Sequence, residues 1–413
     1  MVNINLKIYY MVIKILGDFV NNKTIDKDFF NENIIDVANE ENSQKIYIGR
    51  IYYIAKKHNL VSIMAQAMEK LGFESDSDIW KRWLKEKNQL IYKSVLMDVE
   101  REAIQDFFEK NNIWYMLLKG MVIRKYYPAP ELREMADNDI LFDNKYSKEV
   151  YEFMTARGYK SDDYNKGYHD EYLKPPAYNF EMHRQLVSSK ERPKWYEYYK
   201  DVKSILIKDT NENRETAANS ESNNTSNQFY FSDNDFYVYF IVHTYKHFLN
   251  SGMGLRTVLD VYLYVSNLQE KLDFDYIEEQ LKKLDAYDFE QTFRSIAFKM
   301  FDENLEDRKW WDLFDVKEQE MLSYVLDAGT YGNLENSVAH KMGYTKGEKK
   351  KTSDKAKYIF RRLFPSMDTI EEFFPFFYKH KWAIPFLYIY RIGKIPFTRR
   401  KKVAGELKEV FKK

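Results

Sequence analysis

Two aspartates two positions apart, Asp137 and Asp139, open the run DNDILF, and Glu181 lies in a later run of similar texture, YNFEMHRQL. Side chains on a β-strand alternate with a period of two, so Asp137 and Asp139 point the same way on a strand. Carboxylates held together repel one another unless they share positive charge. Mg²⁺, or Mn²⁺ in its place, supplies that charge and also coordinates phosphate oxygens. Three such carboxylates can hold two hard cations, one activating an attacking hydroxyl and the other bearing a triphosphate. The same residues have a plainer reading, in which Asp137 caps a loop, Asp139 faces solvent and Glu181 makes a surface ion pair. Spacing alone leaves both open.

His183 shares a strand face with Glu181 and is expected to orient that acid as a hydrogen-bonded neighbour. His243 and His247, in HTYKH, fall on one face of a helix. A zinc protease needs glutamate directly after the first histidine, and Thr244 stands there instead. The pair is therefore expected to line the interface with the carboxylate-bearing unit or to make buried hydrogen bonds. Arg256 and Asp260 are four apart, the spacing of an intrahelical ion pair. Arg124 reads as an ordinary surface cation.

These residues need elements to position them. Three- and four-residue apolar spacing through residues 1–110 predicts a mainly helical N-terminal region. Over 111–207 the texture changes to short strands and helices. IWYMLLKG reads as a buried strand ending at Gly120, GMVIRKYY as a short helix, KYSKEVYEFMTARGYK as an amphipathic helix stopping at Gly158, and AYNFEMHRQLV as another strand. Residues 208–228 are almost wholly polar and small, which predicts a flexible loop or linker. Residues 229–338 return to helical spacing, with two helices separated at NSGMG, and 339–413 form a basic, aromatic C-terminal region.

With 64 Lys and Arg against 64 Asp and Glu, the whole chain has no net field to draw in a polyanion. Extended nucleic-acid binding loses weight, while an RNA acceptor stays open. There are no cysteines, which excludes thiolate metal sites and a cysteine nucleophile. The opening MVNINLKIYYMVIKILGDFV reads as a helix of the folded protein and not as a secretory signal, and no stretch approaches a membrane span. A cytoplasmic protein is expected. Prolines interrupt the C-terminal basic region, so packed helices with snorkelling lysines account for it more simply than a membrane-surface helix.

Taken in order, WYMLLKGMVIRKYYPAPELREMADNDILFD, YNFEMHRQL and VHTYKHFLNSGMGLRTVLDVYLY resemble a bacterial nucleotidyltransferase family of the polymerase-beta-like superfamily. The resemblance implies an α+β fold, a nucleotidyltransferase-like mixed β-sheet with flanking helices and substantial additional helical regions. It implies that Asp137, Asp139 and Glu181 are the catalytic metal ligands and that Gly120 is the phosphate-loop glycine. Lys119 takes a place often held by a second glycine, where its charge can meet a phosphate. Arg133, four residues before Asp137, is expected either to reach a phosphate or to brace the loop. The likeness also extends over Arg256 and Asp260, adding phosphate or acceptor contact to their ion-pair reading, and His183, His243 and His247 are the further candidates near the acceptor.

The expected activity is transfer of NMP from an NTP to an acceptor, with pyrophosphate release; the resemblance leans toward a sugar-related acceptor. Met121 follows Gly120 where the wider superfamily has glycine or serine, so a second expectation is an inactive nucleotide-binding or protein-interaction module. A toxin-like transferase acting on tRNA or protein is the third.

Overall fold

The computed structural model describes residues 6–25, 28–36, 45–162, 164–176, 178–189, 192–210, 226–250, 252–301, 310–330 and 351–394, with positions 338, 342, 407, 410 and 411. The N-terminal helices are α1 (Leu6–Val20), α2 (Phe29–Asn33), α3 (Ile48–Lys57), α4 (Val61–Lys70) and α5 (Asp78–Lys110). A two-residue parallel pair, β1 (Ile34–Ile35) with β2 (Ile46–Tyr47), ties the start of this region together. The sheet region holds β3 (Tyr115–Leu117), α6 (Gly120–Ile123), β4 (Asn138–Phe142), α7 (Ser147–Ala156), β5 (His169–Lys174), β6 (Tyr178–His183), α8 (Pro193–Tyr199), β7 (Ile207–Lys208) and β8 (Gln228–Tyr230). Then follow α9 (Asp233–Asn250), α10 (Leu255–Leu268), α11 (Phe274–Lys283), α12 (Tyr287–Phe301) and α13 (Val316–Ala328). The C-terminal helices are α14 (Thr352–Leu363), α15 (Met367–Phe373), α16 (Pro375–Lys379) and α17 (Ile384–Lys394).

The architecture is α+β, as expected, with a six-stranded mixed sheet in the order β5-β6-β4-β3-β8-β7. β4 runs antiparallel to β3 and parallel to β6, and β5 closes one edge antiparallel to β6. The polar run 208–228 begins and ends inside strands, Lys208 in β7 and Gln228 in β8, while its 211–225 portion lies outside the described residues.

Alternation decides which face of the sheet does what. Ile140, Phe142, Phe180 and Met182 point to one face and pack with Ile104 and Phe108 of α5 and Val150 and Met154 of α7. The other face carries Asp139, Leu141, Glu181 and His183, and Leu141 with Met116 joins the core of the helical body. A strand buried on one side by apolar residues and facing helices on the other with acids can keep its charge only where partners or solvent meet those acids.

Long α5 connects the two cores. Ser77 caps its start by accepting from the Trp80 N–H, Trp80 and Trp83 bury into the helical body, and Ile104 and Phe108 reach the sheet. α7 ends as predicted at Gly158, whose φ of +85° is the left-handed turn that favours glycine. The NSGMG break separates α9 from α10, with Gly254 at the α10 N-cap.

Candidate active site

Asp139 on β4 and Glu181 on β6 are direct register partners on adjacent parallel strands. Asp137 stands just before β4 and not on it, because the backbone is still leaving the loop that follows Arg133; it nonetheless lines the same cavity. The cavity encloses about 310 Å³ between this sheet face and α9 and α10, and Asp137, Asp139 and Glu181 all line it. Asp139, Glu181 and His183 form the tightest group, with one ligand atom from each within 4.8 Å of the others.

Asp139 is heavily contacted. Its Oδ1 accepts from Lys119 Nζ at 2.5 Å and lies 2.8 Å from His183 Nε2. Burial opposes the charge, but the Lys119 ammonium and His183 outweigh it and hold the Asp139 carboxyl well below the usual range. Lys119 is raised in return, with the attraction of Asp139 overcoming its own burial. Glu181 is lowered despite burial because His183 and Lys119 favour its charged form. For Asp137 the pull of Lys119 and Arg256 is too weak to do the same. Burial and then repulsion from Asp139 and Glu181 push its carboxyl up to about 6.

The local backbone explains how Lys119 arrives there. At the turn from β3 into α6, Lys119 has φ +49° and ψ −112°, a conformation that costs about 1–3 kcal/mol for a residue with a side chain. That turn aims the ammonium back across the strand end at Asp139. Gly120 is explained differently from its sequence reading. A Cβ there would lie 2.3 Å from Arg133 Nη1, so the glycine lets a guanidinium pass against the chain.

Arg133 makes the brace, and it also lines the cavity. Its Nε and Nη2 each donate to the Asp260 carboxylate at 2.8 Å, and the Tyr127 hydroxyl donates to the same group at 2.7 Å. Arg133 and Asp260 are both buried. The intrahelical Arg256–Asp260 pair expected from spacing is thus replaced: Asp260 is held by Arg133, and Arg256 Nη1 donates to the Glu134 carbonyl at 2.7 Å. Arg124, read as a surface cation, is buried instead. It binds Asp98 of α5 through Nη1 at 2.6 Å and Nη2 at 3.1 Å, locking the turn after α6 onto that helix.

His243 and His247 do line the cavity, with their Nε2 atoms 2.9 Å apart. Burial and the neighbouring lysines keep both neutral: His243 is lowered well below its ordinary value and His247 to about 4. The sequence reading missed Tyr168, His169 and Lys246. His169 stacks on His183 at 5.0 Å between ring centres and is pushed down to about 4 by burial and by His183. Lys246 donates to the Tyr168 hydroxyl at 3.0 Å. The overlooked signal was HDEYLK, whose inward Asp170 and Tyr172 alternate with outward neighbours and which turns at Pro175–Pro176 into β6. For Lys246 the clue was its position three after His243, on the same helical face.

Asp139, Glu181 and His183 are the group whose ligand atoms lie close enough to hold a divalent cation, and Asp137, raised by burial and by its two acidic neighbours, lines the same cavity. Such a set beside a small polar cavity can hold a metal-bound polyphosphate.

A family model described as "Uncharacterised nucleotidyltransferase" matches residues 44–302. The chain belongs to that family, which spans both the sheet and most of the helices facing it. No curated protein and no solved structure matches it.

Proposed function

We propose that this chain transfers NMP from an NTP to an acceptor in a metal-dependent reaction of the polymerase-beta-like type. The observation that carries the reading is the convergence of Asp137, Asp139 and Glu181 on one cavity in a member of a nucleotidyltransferase family. Those three residues would hold Mg²⁺, or Mn²⁺, which when bound neutralises phosphate charge and lowers the pKa of an attacking hydroxyl.

The chain's own groups do the rest. The acceptor oxygen attacks the α-phosphorus, the bond to the bridging oxygen breaks, and pyrophosphate leaves. One of the three carboxylates takes the acceptor's proton, and Asp137, which lines the cavity without a direct ion pair, is the one we favour. Lys119 presents a permanent cation at the cavity wall, and Gly120 opens the turn beside it. Arg133 acts through Asp260 to hold the loop from which Asp137 projects. The neutral His243 and His247, with Lys246, Arg256 and Thr257, form the opposite wall where an acceptor would lie. The cavity suits a small acceptor, and a sugar or sugar phosphate is the class we favour. The cytoplasm, where NTP is abundant, is the compartment we favour for this reaction.

One observation favours a second reading. Asp139 is already satisfied by Lys119 and His183, as a carboxylate that no longer needs a metal would be. An inactive module would bind nucleotide without turnover. Incubation with each α-labelled NTP, Mg²⁺ and a panel of sugars and sugar phosphates separates the cases. Acceptor-dependent pyrophosphate release supports the proposal. Label on co-purified protein or tRNA moves the acceptor to a macromolecule, and binding without release selects the inactive module.

A further inference from the structure

We propose that the C-terminal helix α17 docks this protein on the surface of an anionic membrane, a role separate from nucleotidyl transfer. α17 packs on α14 and α16 through a narrow stripe: Leu387 is fully buried, and Tyr388 meets the Phe364 ring edge-on at 5.0 Å. The stripe turned outward is the more apolar one. Trp382, Phe386 and Ile389, spaced four and three residues apart, are 73%, 61% and 67% exposed. Trp382 and Phe386 touch edge-to-face, and Ile392 extends the stripe. Burial normally follows apolarity along a helix, so a helix that shows its greasier side to water is built to have it covered.

Charge identifies the cover. Residues 339–413 hold 20 Lys and Arg against 7 Asp and Glu, a net of +13, which leaves −13 for residues 1–338. The neutral whole-chain balance conceals a strong internal polarity. From 373 to 405 there are eight Lys and Arg and no carboxylate at all. Lys379 and Lys381 are exposed beside the turn that carries Trp382. An interfacial Trp, aliphatic side chains and flanking lysines match the boundary between headgroups and acyl chains of an anionic bilayer. A second copy of the same basic face would bring like charges together. RNA would find Ile389 and Ile392 where it needs stacking rings or hydrogen-bond donors.

Flotation of the full chain with vesicles tests this, using phosphatidylcholine alone and phosphatidylcholine with one part in four phosphatidylglycerol. The wild type should float with the anionic vesicles, more weakly at high salt, and Trp382→Glu/Phe386→Glu/Ile389→Glu should bind roughly tenfold or more weakly. Lys379→Glu/Lys381→Glu leaves the apolar stripe intact and should bind less in proportion to the lost charge. As a second readout, brominated lipid should quench wild-type tryptophan fluorescence, and Trp382→Phe should remove that quenching. Failure of the wild type to float, or equal flotation of the triple-glutamate variant, overturns the proposal. So does a dimer that the variant splits while vesicles bind neither protein, or RNA binding that the variant loses in place of vesicle binding.

Discussion

Two buried ionic groups border the same cavity and are built in opposite ways. In the first, Arg133 meets Asp260 in a two-pronged contact completed by Tyr127, so one cation answers one anion and both carboxylate oxygens are filled. In the second, Asp137, Asp139 and Glu181 crowd one wall, only Asp139 is in a direct ion pair with a permanent cation, Lys119, and burial leaves Asp137 near protonation although Arg256 also faces the cavity. A saturated ion pair resists change and holds a loop; an unsaturated cluster is a place where a ligand's positive charge lowers the energy. The contrast fits a scaffold role for the first group and the proposed chemistry for the second.

Breaking the unsaturated group should have the largest consequence. Asp139→Asn is expected to lower acceptor-dependent pyrophosphate release by about 10³-fold or more while leaving the circular dichroism spectrum unchanged. Breaking the saturated group should act on stability first. Asp260→Ala strands the buried Arg133 guanidinium, and urea unfolding should show a loss of about 3–5 kcal/mol.

Between the two groups lies the half-buried Glu134, whose carboxylate accepts from the Ser62 N–H at 2.9 Å. Burial pushes its carboxyl up to about 7 from an ordinary value of 4.5. Because the folded pKa is raised, the folded state holds the proton more tightly. Its contribution to stability is full below about pH 4.5 and is lost as pH rises through 7. Glu134→Gln should therefore match wild type near pH 4 and exceed it by about 3 kcal/mol at pH 8, measured by urea unfolding. A variant whose advantage shrinks as pH rises would place the strain elsewhere. The smallest effect concerns the turn. Lys119→Gly and Lys119→Ala lose the same ammonium, so their difference isolates the positive φ, and the glycine variant should be more stable by about 1 kcal/mol.

Much of the sheet was legible in the sequence because strand alternation is local. DNDILF and YNFEMHRQL carry acids on one side and apolar residues on the other, and that pattern put Asp139 beside Glu181. Helix α7 and the α9–α10 break announced themselves through apolar spacing and glycines. Long-range partners were not legible. Nothing near Arg133 in sequence points to Asp260, which is 127 residues away, so its choice between phosphate and brace waited for the fold. Arg256 and Asp260 had the right spacing for each other, but the fold brings Arg133 onto both Asp260 oxygens and turns Arg256 to the Glu134 carbonyl. Gly120 looked like a phosphate-loop residue, and the structure adds a steric reason that lies in Arg133. The basic C-terminal region was legible, but the matching acidic excess of residues 1–338 was hidden by counting charge over the whole chain.

The central claim is that the carboxylate cluster binds a metal-bound nucleotide. Calorimetric titration of ATP, GTP, CTP and UTP with Mg²⁺ into wild type and the Asp137→Asn/Asp139→Asn variant tests it most directly. The account predicts Mg²⁺-dependent binding of at least one nucleotide to wild type and its loss in the variant. Binding that survives both substitutions, or that needs no divalent cation, would contradict it.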